Sequence, residues 1–393
     1  MIDSNLLQNK NLYIYGYGVT GRWLSDNLIV KKFIDTDNKK WGSVYNGIEV
    51  KGPNYLETID KKESLIIITV VDIFDVIPLL NYLQAEWIPL SQILINFENN
   101  INSSSNNTGE SFEFLKYSIG TVLKCQNAYN QKDSFYLRSV DLVITEKCTL
   151  KCKDCANLMQ YYDDPKTYEV DFILKGIDEL VKKIDFINEI RVIGGEPFLN
   201  KDIYHVLSHL SEINKIHNIV IYTNGMIPPK MEKLANLNNK KIIFSVTDYG
   251  ELGKNLDKTI QILDELNYPY RLHPPEHWTD SGHILAERLS DSDTKENFAK
   301  CCGKNLYTLI GTKLYRCPFV ANAEQFNGIP TNNSNFVMTT DSKEIIKNYA
   351  YGLDSIDACS LCPGRSFDAP LIKPAIQVKK PIPFTKHIKI ESI

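Results

Sequence analysis

The sequence predicts an α/β protein made of three regions, and three observations lead to this prediction. Between Leu12 and Gln84, strand-like and helix-like segments alternate, and the run Leu65–Val71 has the continuous β-branched character of a buried parallel strand. Between residues 112 and 290, four strand-like segments recur with helical segments between them. Beyond residue 291 the segments are shorter and turns are more frequent. Repeated βα units imply a parallel sheet covered by helices.

The element boundaries follow from local patterns. The predicted strands are Leu12–Tyr15, Lys32–Asp35, Leu65–Val71, Val140–Thr145, Glu189–Ile193, Ile219–Thr223 and Ile242–Val246. The predicted helices are Ile73–Gln84, Asp171–Ile184, Ile203–Ile213 and Asp257–Leu266. The Asn- and Ser-rich stretch Glu98–Ser111 predicts a flexible linker, and four prolines between Pro370 and Pro383 predict an extended surface tail. The predicted division is therefore 1–97, a linker at 98–111, 112–290 and 291–393.

The composition is that of a globular protein. Of 393 residues, 43% are hydrophobic and 23% are charged, and the net charge of −4 lacks the basic excess of a nucleic-acid-binding protein. The longest apolar run, Leu65–Val71, is far shorter than the about 18 residues of a membrane-spanning helix. The N-terminus lacks the apolar segment of a secretory signal. We therefore expect a cytoplasmic protein without nucleic-acid or membrane partners.

Nine cysteines are the main chemical feature of the sequence. In the cytoplasm thiols stay reduced, so clustered cysteines indicate metal ligands or catalytic groups rather than disulfides. Eight of the nine fall into three groups, and only Cys125 stands alone; the groups are Cys148/Cys152/Cys155, Cys301/Cys302/Cys317 and Cys359/Cys362.

The first group has the spacing C-x3-C-x2-C and directly follows a predicted strand, at the edge where α/β sheets bind ligands. Three thiolates can each hold one iron of a [4Fe–4S] cube and leave the fourth iron without a protein ligand. A zinc knuckle with a distant fourth ligand is the alternative, although zinc sites favour paired C-x2-C spacings.

This loop resembles the radical SAM (S-adenosylmethionine) superfamily, whose signature C-x3-C-x-aromatic-C follows the first barrel strand. Asp154 stands here at the aromatic position, so a ring that usually packs near the adenine is missing. The resemblance implies a partial (β/α) TIM-type barrel over 112–290. It also implies a [4Fe–4S] cluster with an open iron site at Cys148, Cys152 and Cys155, and S-adenosylmethionine bound to that iron.

Three further strand ends resemble SAM-binding segments of the same superfamily. Gly194-Gly195-Glu196-Pro197 resembles the segment that binds the methionine amino group, since glycines allow close approach and a carboxylate pairs with an ammonium. Thr223 and Asn224 resemble contacts to the ribose and carboxylate, and Ser245 resembles a ribose contact. Each segment is also compatible with a plain turn.

The resemblance implies a reaction and its participants. One electron, from a donor such as flavodoxin or ferredoxin, cleaves SAM at the cluster, and the resulting 5′-deoxyadenosyl radical removes a hydrogen from a small-molecule substrate. The chain would then be an oxidoreductase-type radical enzyme whose general acid or base is not identifiable. The polar stretch containing His273, Glu276, His277 and Asp280 lies after a predicted strand, where a solvated loop is the simpler interpretation.

The C-terminal cysteines resemble the SPASM or shorter twitch extensions of radical SAM enzymes, which hold auxiliary [4Fe–4S] clusters. Cys317 ends a predicted β-hairpin with Gly311 at its turn. A SPASM domain uses seven cysteines for two clusters, so the five present here limit the region to one. The assigned ligands are Cys302, Cys317, Cys359 and Cys362, with Cys301 as the alternative to Cys302. A structural zinc site fits these spacings nearly as well.

The N-terminal segment Gly16-x-Gly18-x-x-Gly21 follows a predicted strand and precedes a helix, and Asp35 lies about twenty residues on. This is the context of a Rossmann-like fingerprint, in which the helix N-terminus binds a pyrophosphate. The region resembles modules attached to enzymes of sugar and surface-polysaccharide biosynthesis. A nucleotide or nucleotide sugar, a docking scaffold without ligand, and NAD remain as alternatives.

The leading hypothesis is a radical SAM enzyme acting on a nucleotide sugar or another small molecule of surface-glycan metabolism. A peptide- or protein-modifying SPASM/twitch enzyme is the second. A non-catalytic nucleotide-binding scaffold with structural zinc sites is the third, and an NAD-dependent oxidoreductase using the first region alone is the fourth.

Overall fold

The computed structural model describes Ile2 and residues 7–94, 107–131, 133–237, 240–274 and 277–385. Most of the predicted linker 98–111 and the candidate residue Glu276 lie outside these ranges. The chain divides into two compact units, Met1–Ser134 and Phe135–Ile393. Among the described residues, no helix combines the length and apolar character needed to cross a bilayer.

The first unit alternates strands and helices. Its elements are β1 (Asn11–Tyr15), α1 (Val19–Asn27), β2 (Lys32–Ile34), β3 (Val44–Tyr45), β4 (Ile48–Lys51), β5 (Ser64–Ile68), α2 (Val76–Tyr82), β6 (Trp87–Pro89), α3 (Leu90–Ile93) and α4 (Phe112–Tyr129). The sheet order is β3-β4-β2-β1-β5-β6, and every pairing except the β3–β4 hairpin is parallel. The chain therefore changes direction across the sheet between β1 and β5, where ligands bind in doubly wound folds.

Both faces of this sheet are buried, as parallel sheets require. Leu12 and Ile14 of β1 point into one apolar cluster, and Tyr13 and Tyr15 point into another. Helix α4 contributes Leu115, Ile119, Val122 and Leu123 to the first cluster. This helix therefore packs with the first unit, whereas the sequence placed it at the start of the central region.

The second unit begins with four βα repeats and a fifth strand, and it continues into shorter elements. The repeats and the fifth strand are β7 (Tyr136–Thr145), α5 (Val170–Lys183), β8 (Phe186–Gly194), α6 (Ile203–Glu212), β9 (Ile216–Thr223), α7 (Met231–Leu237), β10 (Ile242–Thr247), α8 (Leu256–Glu265) and β11 (Tyr270–His273). The shorter elements are β12 (Trp278–Thr279), α9 (Asp291–Lys300), β13 (Leu306–Ile310), β14 (Lys313–Tyr315), α10 (Pro318–Gln325), β15 (Phe336–Met338), α11 (Lys343–Tyr351) and β16 (Leu371–Ile372).

One sheet of eight strands runs through the second unit in the order β11-β10-β9-β8-β7-β13-β14-β15. Strands β7 to β11 are parallel, which confirms the predicted βα repeats. The predicted hairpin is also confirmed as β13–β14, with Gly311 at a φ of +53° in its turn. Strand β13 joins the sheet in parallel beside β7. Strands β13 to β15 of the C-terminal region therefore extend the central sheet, while β16 pairs with β12 in a separate two-stranded sheet.

Helices α5 to α8 cover one face of this sheet, and α10 packs on the other face. Residues alternating along the strands, such as Leu142, Ile190 and Ile221, form a large apolar cluster with Ile177, Leu207 and other helix residues. Because the five strands β7 to β11 are parallel, their carboxyl ends lie at one edge. The loops after β7, β8, β9 and β10 consequently meet there.

Candidate functional site

The loop after β7 places three thiols at the carboxyl edge of the sheet. Cys152 is buried, and Cys148 and Cys155 are partly exposed. Burial raises the pKa of Cys148 to about 12 and the pKa of Cys152 to about 11. Each of these two thiols is close enough to Cys155 for its charge to raise the pKa further. The loop therefore groups the three predicted ligands in low-dielectric surroundings.

These surroundings fit a bound iron–sulfur cluster. Buried thiolates need a positive partner, and metal binding supplies it while releasing the thiol protons. Cys155 also accepts backbone hydrogen bonds from Asn157, Leu158 and Met159, which favour its ionised form. Within the described ranges, no three His, Cys, Asp or Glu side chains converge around a single metal-ion position. A [4Fe–4S] cube has a different requirement, since each thiolate binds a separate iron.

The Gly-Gly pair at the end of β8 lies directly against the cysteine loop. A Cβ atom on Gly194 would lie 2.2 Å from the Thr145 carbonyl oxygen, and one on Gly195 would lie 2.4 Å from the Lys147 carbonyl oxygen. The amide of Glu196 donates to the same Lys147 oxygen at 2.8 Å. The glycines are therefore required because any side chain would push the cysteine loop away.

The Glu196 carboxylate is held by hydrogen bonds within the protein. It is fully buried and accepts the Thr223 hydroxyl at 2.9 Å, the Asn224 amide at 2.9 Å and the Phe198 amide at 3.2 Å. Burial raises the pKa of Glu196 to about 7, although these hydrogen bonds act to lower it. Glu196 thus ties the end of β8 to the end of β9, beside Pro197, which begins a short 3-10 turn.

Thr223 and Asn224 lie next to the cysteine loop, but their side chains bind protein groups. The Thr223 hydroxyl is directed at Glu196. The Asn224 side-chain amide donates to the Thr149 hydroxyl at 2.9 Å, and its nitrogen lies 3.8 Å from the Cys148 sulfur. Ser245, at the end of β10, pairs with His273 Nε2 at 3.0 Å. The structure therefore brings the predicted SAM-binding residues to one edge and gives several of them positioning contacts.

The sheet face opposite helices α5 to α8 carries a patch of charged and polar side chains. Asp141 of β7 forms an ion pair with Arg191 of β8 at 2.8 Å, and the Arg191 guanidinium lies 4.4 Å from the centre of the Tyr222 ring. Ser139 donates to Glu189 at 2.6 Å on the same face. A parallel sheet covered on both sides would be apolar on both faces. On the same face, however, Val143 and Ile193 join an apolar cluster with residues of α10, so the polar side chains form a local patch.

A second group of thiols lines a pocket in the C-terminal part of the unit. Its cysteines are Cys301, Cys317, Cys359 and Cys362. Burial raises the pKa of Cys317 to about 12 and of Cys359 to about 11, and burial also raises the pKa of Cys301 and Cys362. The amides of Gly303 and Gly364 lie 3.4 Å from the sulfurs of Cys301 and Cys362. The set fits four-thiolate ligation of one cluster.

The placement of Cys302 differs from its assignment as a ligand. This residue is exposed and does not line the pocket, whereas its neighbour Cys301 does. The backbone at this position is fixed, because the Cys302 amide donates to the Arg365 carbonyl at 3.0 Å. Of the two alternatives, the geometry favours Cys301.

Sequence reasoning missed Arg365. Its charge favours the ionised forms of Cys155, Cys301 and Cys317, so it acts on thiols of both groups. It also favours ionised Asp141. A single arginine in a Pro- and Gly-containing loop carries no local pattern that would have revealed this position.

In the first unit, the glycines form a tight turn before helix α1. Gly16 has a φ of +115°, and a Cβ on Gly21 would lie 1.9 Å from the Gly16 carbonyl oxygen, so helix α1 packs tightly on the turn. A Cβ on Gly18 would meet no atom within 4 Å. The turn is therefore closed on its protein side and open at Gly18, the residue that precedes α1.

Asp35 is close to the glycine turn but is already hydrogen-bonded. Its carboxylate accepts the Tyr17 amide at 2.8 Å and the Asp37 amide at 2.9 Å, and Lys40 Nζ lies 3.2 Å away. The acidic residue therefore stabilises the turn, and its oxygens have fewer sites left for a ribose hydroxyl.

The fold and the site together define a class of protein. It is an α/β domain with a cysteine-lined site at the carboxyl edge of its parallel sheet. Residues 142–273, which run from within β7 to the end of β11, match the profile of the Radical SAM superfamily. Over these residues the chain is similar to radical SAM proteins, and this similarity implies a [4Fe–4S] cluster and S-adenosylmethionine.

Curated relatives align over part of the chain. A GTP 3',8-cyclase of Alkaliphilus metalliredigens (strain QYMF) is 30% identical over 152 residues, which is 36% of this chain and 46% of the relative. A GTP 3',8-cyclase of Clostridium acetobutylicum is 33% identical over 135 residues, covering 31% of this chain and 41% of the relative. The chain thus spans less than half the length of these relatives.

Solved structures with weaker similarity include BtrN in complex with AdoMet and 2-DOIA, with 14% identity and a TM-score of 0.37 over 61% of this chain and 100% of that one. A second is anSMEcpe with bound AdoMet, with 11% identity and a TM-score of 0.36 over 55% of this chain and 78% of that one.

Proposed function

We propose that the protein is a radical SAM enzyme that abstracts hydrogen from a small polar substrate. The observation that carries the proposal is the group of Cys148, Cys152 and Cys155 on the loop after β7, inside the segment that matches the superfamily. When bound there, a [4Fe–4S] cluster would supply the electron that cleaves SAM to a 5′-deoxyadenosyl radical.

The chain's own residues would hold and orient the reactants. The three cysteines bind the cluster, and Gly194 and Gly195 allow the end of β8 to approach the loop. Glu196 and Asn224 link that strand end to β9 and to Cys148. Enzymes of this type gain from orientation and from the exclusion of side reactions, while the cofactor carries the difficult chemistry.

The polar sheet face supports a polar substrate. Asp141, Arg191 and Glu189 combine both signs of charge on one sheet face. Charged and hydroxyl groups of this kind recognise sugars, nucleotides and other hydrogen-bonding molecules. A nucleotide sugar or another small molecule of glycan metabolism is the substrate class that we propose.

We further propose that Cys301, Cys317, Cys359 and Cys362 hold one auxiliary [4Fe–4S] cluster. Their shared pocket supports this ligand set, with Cys301 in the place assigned to Cys302. In this proposal the region is a twitch-like extension, and complete ligation gives the cluster a role in electron transfer or structure.

For the first unit we propose a Rossmann-like module that binds a nucleotide or nucleotide sugar. The five parallel strands have the spatial order third-second-first-fourth-fifth, which is typical of doubly wound nucleotide-binding sheets. The open position at Gly18 beside the N-terminus of α1 supports a phosphate contact there.

Anaerobic reconstitution tests the enzyme proposal. Protein loaded with iron and sulfide and reduced with dithionite should convert SAM to 5′-deoxyadenosine, measured by liquid chromatography with and without nucleotide sugars. Cys152→Ala should abolish the product, whereas Cys125→Ala, in α4 of the other unit, should retain it. A loaded wild-type protein that forms no 5′-deoxyadenosine with any tested substrate would contradict the proposal.

A further inference from the structure

The C-terminal tail crosses the cysteine loop. Residues 375–378, here named the C-terminal strap, run antiparallel to residues 151–153. The Lys153 amide donates to the Ile376 carbonyl at 2.7 Å, and the Val378 amide donates to the Lys151 carbonyl at 2.8 Å. Cys152 and Gln377 form the antiparallel bridge between the two segments. The segment that the sequence predicts to be a surface tail therefore pairs through its backbone with the loop that carries Cys152, a predicted cluster ligand.

The side chain of Gln377 hydrogen-bonds to the sulfur of Cys152. Its Oε1 accepts the Lys151 amide at 2.8 Å, while its Nε2 donates to the Ala375 carbonyl at 2.8 Å and lies 3.2 Å from Cys152 Sγ. The partners define the amide orientation, because the opposite one would place an N–H group against the Lys151 N–H. An N–H group is therefore directed at the sulfur.

Contacts on both sides hold the strap in place. Upstream, β16 pairs with β12, and the Asp280 amide donates to the Pro370 carbonyl at 2.9 Å. Downstream, the Ile382 amide donates to the Gln160 carbonyl at 2.9 Å, and the Phe384 ring packs 5.1 Å from the Tyr161 ring. The position of the Gln377 amide therefore does not depend on its own hydrogen bonds alone.

The hydrogen bond from Gln377 reaches a Cys152 sulfur that is largely shielded from solvent. Cys152 is 7% exposed, and the Gln377 bond counteracts the rise in the Cys152 pKa that burial causes. A donated N–H stabilises negative charge on sulfur. Reduction of an iron–sulfur cluster increases the negative charge shared by its ligands, and hydrogen bonds to the sulfurs are among the factors that set the reduction potential.

We propose that Gln377 is a positioning residue that raises the reduction potential of the cluster at Cys148, Cys152 and Cys155 by donating an N–H to the Cys152 sulfur. The proposal rests on the proposed function, since it requires that this cluster forms. The strap's backbone pairing holds the loop, and the amide adjusts the ease with which the cluster accepts its electron. Loss of the N–H makes the reduced state harder to reach.

Redox titration monitored by electron paramagnetic resonance tests this role in the full-length, anaerobically reconstituted protein. The SAM-site signal is identified as the one that changes when SAM is added. Gln377→Met removes the donor without adding charge, and Gln377→Glu also keeps an acceptor for the Lys151 amide. Both variants should lower the reduced fraction at a fixed solution potential by about tenfold, which is about 59 mV for a one-electron couple.

Two variants of the strap serve as controls. Val378→Ala keeps the backbone bonds and the Gln377 amide, so its potential should equal that of the wild type. Lys379→Gln changes the net charge by the same amount as Gln377→Glu and measures the effect of charge alone.

The outcomes separate this inference from the proposed function. If wild-type protein shows no SAM-responsive cluster, the proposed function fails. If the cluster forms and Gln377→Met has the wild-type potential, only the inference is overturned. A Gln377 variant that folds but does not load the cluster would show that Gln377 holds the cysteine loop in place. The proposed effect on the reduction potential would then also be overturned.

Discussion

Cys301 and Cys302 are neighbours in the chain but lie in different surroundings. Cys301 lines the pocket with Cys317, Cys359 and Cys362, and Cys302 is exposed. Local spacing permits either residue as a ligand, since the two thiols differ by one position. The choice depends on which thiol lies beside Cys317, Cys359 and Cys362, and these residues are distant in sequence.

This difference predicts distinct effects of two matched substitutions. Cys301→Ala should remove about one cluster, or about four irons, from anaerobically reconstituted protein, whereas Cys302→Ala should retain the wild-type iron content. Iron and acid-labile sulfide analysis measures both. Loss of iron in Cys302→Ala with full iron in Cys301→Ala would show that the outer thiol is the ligand.

Asp141 is a buried carboxylate whose pKa burial raises to about 6, although Arg191 opposes this shift. Glu189 raises the same pKa, and Arg365 lowers it. Because the folded protein binds this proton more tightly than the unfolded chain, the group's contribution to the free energy of unfolding is largest below about pH 4. It decreases as the pH rises to about 6 and stays low above that.

The corresponding measurement is equilibrium urea unfolding of wild type and Asp141→Asn between pH 4 and pH 7. The stability of wild type relative to the variant should fall by roughly 3 kcal/mol across this range, at about 1.4 kcal/mol per pKa unit. Asp164→Asn, at an exposed position, is the control and should show little change. A difference independent of pH would show that Asp141 titrates in its ordinary range.

At the scale of elements, the end of β8 and the loop after β7 approach too closely for side chains. Gly195→Ala would place a Cβ 2.4 Å from the Lys147 carbonyl oxygen and 2.5 Å from the Cys148 Cβ. The contact atoms are backbone and a short side chain, so the cysteine loop itself must move. The sequence pattern predicted a Gly-Gly turn here, but not which segment it approaches.

We expect Gly195→Ala to lower the free energy of unfolding by about 1–3 kcal/mol and to reduce iron loading at the first site. Gly18→Ala is the matched control, because its Cβ would meet no atom within 4 Å. Denaturant unfolding and iron analysis report the two effects. Full loading of Gly195→Ala would mean that the loop tolerates displacement.

The sequence predicted individual strands of the second unit but not all of their neighbours in the sheet. The βα periodicity predicted β7 to β10 and the β13–β14 hairpin, and the structure confirms them. It did not predict that β13 pairs with β7, because Leu306 and Ser139 are brought together only by the folding of the intervening repeats. Hydrogen-bond partners of this kind leave no periodic signal in either strand.

At the scale of the whole molecule, the chain forms two compact units divided at Ser134. Helix α4 belongs to the first. Its buried Gln126 donates to the carbonyls of Ile68 and Val70 at 3.0 Å and accepts the Ser91 amide at 3.0 Å. Composition placed the boundary at the Asn- and Ser-rich stretch because polar segments commonly separate domains, yet the first sheet still requires a helix that follows it.

Fragments of the chain test this division. Residues 1–134 should fold alone with a cooperative thermal transition, whereas residues 1–111 should be unfolded or aggregated, because removal of α4 exposes an apolar cluster and leaves buried carbonyls unpaired. Circular dichroism melting and dispersion in nuclear magnetic resonance spectra distinguish the two. A cooperative transition in the shorter fragment would contradict this assignment of α4.

The sequence by itself determined the features that depend on neighbouring residues: the βα repeats, the C-x3-C-x2-C loop at a strand end, the Gly-Gly pair and the glycine turn at Gly16. Such features follow from local periodicity and backbone geometry. Only the tertiary structure decided that Cys301 faces the pocket, that Glu196 binds the end of β9, and that Gln377 reaches Cys152 across 225 positions. These contacts join segments whose proximity is set by the packing of the whole sheet, and no short stretch of sequence records that proximity.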